Sequence, residues 1–189
     1  MLKTDNETTY TAKEFIERYI IRDISDIVES RPYHAFFLLS TAIEVLGKCL
    51  NPDSWQTSGK SEEDFSNAIN QFESLKDYRC FNCYKTDKNG NQVINKGRPV
   101  LTNELFSLLR CGLLHAALPK NGIFLTDQNE DLSRKLIGCR EMYQRICNAW
   151  NEAKNNPSLI KKNLLEPDVF HVNGSISGTT STNKTVVQS

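Results

Sequence analysis

The 189-residue chain has no excess charge of either sign, because lysine and arginine total 23 and aspartate and glutamate also total 23. Proteins that coat nucleic acid carry a strongly basic surface, so this balance excludes that class. Any contact with RNA would have to come from a small local site. Nothing in the sequence indicates specificity for DNA.

The sequence also lacks segments that direct a chain to a membrane. Residues 1–9 are polar and acidic, without the apolar core of a secretory signal, which favours a cytoplasmic location. The most apolar run, residues 105–118, is shorter than the roughly 20 residues of a membrane span and contains Arg110. We therefore expect a cytoplasmic protein that does not associate with membranes.

Most of the short motifs that identify enzymes are absent. There is no glycine-rich phosphate loop, no GxSxG nucleophile turn and no HExxH metal motif. No cofactor is indicated, and no internal repeat is visible. Four of the six cysteines lie in apolar helical patterns that are typical of buried reduced thiols, namely Cys49, Cys111, Cys139 and Cys147.

The other two cysteines leave a zinc site as an alternative. Cys80 and Cys83 form a single CxxC, and Cys111 with His115 would complete a set of four ligands. No second knuckle-like spacing accompanies the CxxC, and Cys111 and His115 lie within an apolar run. We therefore expect no bound metal, and a zinc-stabilised helical domain remains an alternative.

Apolar residues recur at helical spacing through most of the chain, which predicts an all-α fold. We expect an antiparallel bundle of four to five helices with a hairpin-like insertion at residues 78–100, where Asn89-Gly90 favours a turn. Residues 123–125 are expected to be extended. The helices are predicted at 11–29, 33–50, 61–75, 105–118 and 133–154.

Composition also predicts how the chain is divided. Residues 11–172 would form one helical domain, preceded by an N-terminal extension at 1–10. Residues 173–189 are rich in serine, threonine, asparagine and glycine and cannot supply a core, so we expect a disordered or loosely ordered tail.

The chain is organised around the run at 105–118. Thr102 or Asn103 is suited to cap its start, and Pro119 ends it. Apolar residues all round the helix axis predict burial on most sides. The few polar side chains are therefore candidates for function, because a buried charge has to be paired or used.

Helical geometry relates these polar residues to one another. At about 100° per residue, a single stripe would contain Glu104, Ser107, Cys111 and His115, with Arg110 beside it. A purely structural interpretation stays open, in which Arg110 pairs with a buried acid and His115 is stabilised as a cation near the helix C-terminus.

Glu44 has two alternative partners. It lies in the middle of the helix predicted at 33–50, so if buried it would be the counter-ion of Arg110. It also has the i,i+4 spacing of an exposed ion pair with Lys48, which is the arrangement we favour.

The segment Arg110-Cys-Gly-Leu-Leu-His115 resembles the Arg-x4-His signature of the HEPN superfamily, named for higher eukaryote and prokaryote nucleotide-binding domains. Its position at the end of a late apolar helix is similar, as is an earlier hydrophobic helix that carries Glu44. Residues 38–48 also resemble the second helix of small bacterial members. In layout the resemblance covers about residues 11–155, and six positions supply the motif.

The resemblance implies a helical bundle that dimerises and brings two Arg/His pairs to a shared cleft. Many members are metal-independent ribonucleases in toxin, phage-defence or RNA-processing systems, whereas others bind nucleotides or pair with nucleotidyltransferases. Carried onto this chain, His115 would act as general base or acid at the RNA 2′-hydroxyl. Arg110 would hold the scissile phosphate and stabilise its added charge.

The resemblance also suggests supporting residues. Glu44 would orient Arg110, Ser107 would add a hydrogen bond, and Cys111 occupies a position that is usually polar in active members. We therefore expect a homodimeric, metal-independent endoribonuclease of a bacterial toxin or phage-defence system, with Arg110 and His115 as its catalytic residues. The alternative is a non-catalytic member, a dimeric module that binds a nucleotide or another protein in the same cleft.

Overall fold

The computed structural model describes residues 7–53, 55, 58–120, 122–161, 164–165 and 170–173. Most of its regular structure is helical. Among the described residues, two stretches are π-helical, Ile16–Arg22 and Phe106–Arg110, and short 3-10 helices lie at Glu73–Phe81 and Leu132–Arg134. The main helices are α1 (Ala12–Phe15, Ile16–Arg22 and Asp23–Val28 in succession), α2 (Pro32–Cys49), α3 (Ser61–Gln71), α4 (Phe106–Arg110 followed by Cys111–Ala116) and α5 (Cys139–Asn155).

Short strands form four two-stranded pairs within the described part of the chain. The strands are β1 (Glu7–Tyr10), β2 (Asn82–Tyr84), β3 (Ile94–Asn95), β4 (Arg98–Pro99), β5 (Leu101–Asn103), β6 (Phe124–Thr126), β7 (Leu136–Gly138) and β8 (Phe170–Asn173). Three pairs are antiparallel, β1 with β8, β2 with β5 and β3 with β4, whereas β6 and β7 are parallel. The protein is therefore mainly helical and not all-α as predicted.

The pair of β1 and β8 joins the two ends of the described chain. Glu7 is opposite Asn173, and Tyr10 is opposite Phe170. The remainder of the predicted N-terminal extension, residues 1–6, lies outside the described residues, as do residues 174–189 of the predicted tail.

Helix starts follow the local sequence signals. A capping box begins α1, because the Glu14 amide donates to Thr11 Oγ1 (3.2 Å) and the Thr11 amide donates to the Glu14 carboxylate (2.9 Å). Pro32 occupies the first turn of α2. At the start of α4, Asn103 Oδ1 accepts from the Leu105 amide at 3.0 Å, so Asn103 is the capping residue.

The hairpin-like insertion is confirmed. The Asp87 amide donates to the carbonyl of Asn91 (2.8 Å), and Gly90 has a φ of +83° in the turn between them. The insertion begins later than residue 78, because the 3-10 helix continues to Phe81. It returns through β5, which pairs with β2 and leads directly into α4.

Two predicted helix boundaries are wrong. The predicted helix at 133–154 begins only at Cys139, since Leu136–Gly138 is a strand parallel to β6. Short apolar runs fit either structure, and here pairing with the extended segment at 124–126 determines the outcome. The helix predicted at 61–75 ends at Gln71 as an α-helix and continues from Glu73 as a 3-10 helix.

The core is built around α2, which contacts each of the other four helices. Ten of its 18 residues are buried. It meets α3 at Gly47, where a Cβ atom would lie only 1.7 Å from the carbonyl oxygen of Asp64. The two helices therefore touch backbone to backbone, and α3 has a fixed position on α2. No helix in the described part of the chain has the length and apolar character needed to cross a bilayer.

We predict that Gly47→Ala lowers the free energy of unfolding by about 3 kcal/mol, because the new methyl group can be accommodated only by separating α2 from α3. Gly112→Ala is the matched comparison, since its Cβ would lie 2.7 Å from the carbonyl oxygen of Leu118 in a surface loop. Urea denaturation should show a smaller loss for Gly112→Ala. Equal losses would contradict the close contact at Gly47.

Candidate functional site

Helix α4 carries the candidate residues and begins with a π-helical turn. The amide of Cys111 donates to the carbonyl of Phe106, five residues earlier. Such turns occur frequently at functional sites and change the direction of the side chains around them. The predicted stripe of Glu104, Ser107, Cys111 and His115 assumed a regular helix. It therefore applies only to Cys111 and His115, which are four residues apart in the α-helical part.

The prediction that this helix is buried on most sides is wrong for the single chain. One side is buried, through Leu105, Leu109 and Leu113. The residues from 114 to 118 are all exposed, with Leu114 45% and Leu118 62% accessible. An uninterrupted exposed run of this composition, Leu-His-Ala-Ala-Leu, is unusual on the surface of a monomer.

Arg110 is paired with Glu44. Its Nη2 donates to Glu44 Oε2 at 2.6 Å, and the side chains are only 18% and 8% exposed. The exposed pair between Glu44 and Lys48 that we favoured is therefore wrong. Lys48 instead donates to the carbonyl of Trp55 at 3.4 Å. Packing of α4 on α2 buries Glu44, and this tertiary contact is not visible in the spacing of Glu44 and Lys48.

The other atoms of this pair differ in how well they are satisfied. Glu44 Oε1 accepts from the Ser61 hydroxyl at 2.8 Å, and the guanidinium of Arg110 lies 5.9 Å from the centre of the Phe106 ring. Arg110 Nε is buried without a hydrogen-bond partner, one of two such side-chain atoms among the described residues. A buried unpaired donor is costly, so an acceptor that reached it would bind favourably.

His115 is exposed at the end of α4. Ala117, two residues after His115, has a left-handed φ of 55°. Its carbonyl accepts a hydrogen bond from the hydroxyl of Tyr33. The chain then folds back, and the Lys120 amide donates to the carbonyl of Leu108 at 2.8 Å. The helix end that displays the imidazole is therefore fixed to α2 on one side and to the following loop on the other.

The two predicted supporting residues on α4 have different surroundings. The Ser107 hydroxyl is exposed and donates to the carbonyl of Glu104 at 3.1 Å, so its proton is used within the helix. Cys111 is partly buried. The structure thus brings Arg110 and Glu44 into direct contact, whereas Ser107 and Cys111 contribute no hydrogen bond to that pair.

A second buried acid lies close to Glu44. Asp64 is 2% exposed, and its burial raises the pKa of its carboxyl group. The negative charge of Glu44 raises this pKa further, whereas a hydrogen bond from Asn51 and the charge of Lys48 lower it. The pair therefore has a second acidic side chain on its α3 side, with Lys48 as a nearby positive charge.

The zinc alternative is not formed in this structure. Cys80 is exposed overall and Cys83 is partly buried, and partial removal of each thiol from solvent raises its pKa. Within the described part of the chain, no three His, Cys, Asp or Glu side chains are grouped so that they could hold a metal ion. Cys80 and Cys83 are therefore not assembled with Cys111 and His115.

Three residues that contact the site were not predicted from the sequence, namely Ser61, Phe106 and Tyr33. The sequence marked Ser61 only as the start of a helix and Phe106 only as an apolar residue. Tyr33 lies 84 residues before the carbonyl that it binds. Phe106 alone had a local signal, since it is one helical turn before Arg110 and can therefore stack beside it.

No family model matches this chain, and no curated protein or solved structure is significantly similar to it.

We predict that Glu44→Gln lowers the free energy of unfolding by about 3 kcal/mol, because it leaves the charge of Arg110 buried and uncompensated. Glu29→Gln is the control, since Glu29 pairs with Arg140 on the surface, where both side chains are more than half exposed. Denaturant titrations should show little change for that variant. If Glu44→Gln loses no more unfolding free energy than Glu29→Gln, the pair of Arg110 and Glu44 is exposed to solvent and the prediction fails.

We also predict that Asp64→Asn raises the stability at neutral pH. Because the pKa of Asp64 is raised in the folded protein, folding takes up a proton there, and ionised Asp64 opposes folding. The advantage of the variant should shrink as the pH falls through this raised pKa. Thermal unfolding of both proteins between pH 7 and pH 4 measures the difference, and an advantage that grew on acidification would contradict the assignment.

Proposed function

We propose that the chain is a HEPN-like helical domain that acts as a homodimeric, metal-independent endoribonuclease, with Arg110 and His115 as the catalytic residues. One observation supports this most strongly. Arg110 is held by Glu44 and has a buried Nε without a hydrogen-bond partner, while His115, five residues further on, is exposed. The guanidinium therefore keeps a donor for an acceptor that the pair does not supply, and the imidazole is open to solvent.

The proposed reaction is an internal transfer of the phosphodiester. The imidazole of His115 accepts the proton of the 2′-hydroxyl, and the 2′-oxygen attacks the adjacent phosphorus. The bond from phosphorus to the 5′-oxygen breaks, and that oxygen takes a proton from an imidazolium. The products are a 2′,3′-cyclic phosphate and a 5′-hydroxyl end. The guanidinium of Arg110 stabilises the charge that develops on the phosphoryl oxygens.

The exposed run at 114–118 supports the proposed dimer. Its leucines form an apolar surface next to Tyr33, and His115 lies within it. A two-fold contact through this surface would cover the apolar side chains and bring two His115 residues to one cleft. One imidazole could then act as the base and the other as the acid.

The biological setting in toxin or phage-defence systems rests on the sequence resemblance alone. A non-catalytic module that binds a nucleotide or a protein partner is the second candidate, and the exposed apolar run suits it equally. The two are separated by whether the purified protein cleaves RNA.

We predict that the purified protein cleaves RNA in the presence of EDTA and leaves 2′,3′-cyclic phosphate ends. His115→Ala should lower the cleavage rate by about a thousandfold, within the range attributed to acid–base groups. His34→Ala is the control, because His34 is an exposed histidine on α2. The rates are measured with a labelled mixed-sequence RNA, and circular dichroism verifies that both variants are folded.

Two results would overturn this proposal. One is cleavage that disappears with the chelator, and the other is cleavage that persists unchanged in His115→Ala. Binding of a nucleotide without any cleavage would instead favour the non-catalytic module.

We predict that Leu118→Glu converts the homodimer into a monomer, because it places a charge within the proposed apolar contact. Ile94→Glu is the matched control, since Ile94 is 56% exposed on the hairpin insertion. Light scattering after size-exclusion chromatography gives the mass of each variant. A wild-type monomer, or a dimer that tolerates Leu118→Glu, would contradict this interface.

A further inference from the structure

We infer that Ser61 is a positioning residue for Arg110 and acts through the carboxylate of Glu44. This inference rests on the proposed function, because it assigns Ser61 to the same site. Its basis is a chain of two hydrogen bonds. Ser61 Oγ donates to Glu44 Oε1 at 2.8 Å, and Arg110 Nη2 donates to Glu44 Oε2 at 2.6 Å.

The two bonds hold one carboxylate from two different helices. Ser61 is the first residue of α3, and Arg110 is on α4. A carboxylate with one bound donor can still rotate about its last side-chain bond, and the donor follows it. Because Ser61 binds one oxygen and Arg110 the other, the plane of the Glu44 carboxylate is fixed. The orientation of the Arg110 guanidinium against this carboxylate is then fixed as well.

Ser61 is also well anchored. The start of α3 is held against α2 by the backbone contact of Gly47 with Asp64, three residues after Ser61. Ser61 therefore provides a rigid reference point from which the direction of Glu44 is set.

The neighbouring side chains do not share this role. Glu62 accepts from Thr102 at 2.8 Å and is paired with Lys85, while Asp64 accepts from Asn51 at 3.3 Å. Lys60 precedes the helix and makes no side-chain cap. A serine at a helix start often bonds to its own backbone, whereas the hydroxyl of Ser61 reaches across to α2.

The test compares Ser61→Ala with Ser61→Thr, which retains the hydroxyl. Ser58→Ala is the control, because Ser58 is an exposed serine in the loop before α3. Two quantities are measured, the kinetics of RNA cleavage and the NMR signal of the Arg110 Nε–Hε group. Thermal unfolding establishes that each variant is folded at the assay temperature.

We expect Ser61→Ala to lower kcat about tenfold to a hundredfold with little change in KM, as for a small misplacement of a catalytic group. The Arg110 signal should move or broaden in Ser61→Ala and should be restored in Ser61→Thr. Ser58→Ala should match the wild type in both measurements. An unchanged kcat together with an unchanged Arg110 signal in Ser61→Ala would overturn the inference.

The two measurements also separate this inference from the proposed function. If the wild-type protein cleaves no RNA, the proposed function fails and the NMR signal alone decides the role of Ser61. In that case a signal altered in Ser61→Ala and restored in Ser61→Thr supports the positioning role. A signal that is the same in all variants overturns it.

Discussion

The candidate site depends on a buried ion pair between Arg110 of α4 and Glu44 of α2. Taking two charges out of water costs several kcal/mol per ion, and their attraction repays this only when the geometry is good and the remaining atoms are bonded. Glu44 meets that condition, since both of its oxygens accept hydrogen bonds. Arg110 does not, because its Nε is buried without a partner. The proposed function interprets this asymmetry as a donor left for the phosphate of RNA.

The rest of the fold places these two side chains. Helix α2 is buried along most of its length and contacts the other helices, so Glu44 has a fixed depth. The π-helical turn at the start of α4 sets the direction in which Arg110 leaves the helix, and Phe106 packs beside its guanidinium. The Tyr33 hydroxyl and the returning loop hold the end of α4, where the exposed His115 lies.

Much of this arrangement could be predicted from the sequence, and the rest could not, for physical reasons. Helix starts at Thr11, Pro32 and Asn103 were predictable because a cap involves only neighbouring residues. The start of α5 was not, because Leu136 and Ile137 suit a helix or a strand and pairing with β6 decides between them. The sequence did not decide whether Glu44 pairs with Lys48 or Arg110, because the choice depends on how α4 packs on α2 and buries Glu44.

Some features of the candidate site were likewise predictable from the sequence, and others were not. Arg110 and His115 were identified from their spacing and their apolar surroundings, and Glu44 was considered as a counter-ion. The exposure of residues 114–118 was not foreseen, because composition alone does not distinguish a helix buried in its own chain from one with an apolar face left uncovered. The role of Ser61 depends on a contact across 17 residues and has no local signal.

NMR with an uncleavable RNA decides whether Arg110 and His115 hold the phosphate. A short 2′-O-methyl RNA can bind but cannot form the cyclic phosphate. If the two residues hold the phosphate, adding this RNA shifts both the Nε–Hε signal of Arg110 and the imidazole signals of His115, and Glu44→Gln weakens these shifts. If both signals stay in place at saturating RNA, Arg110 and His115 are not the phosphate site.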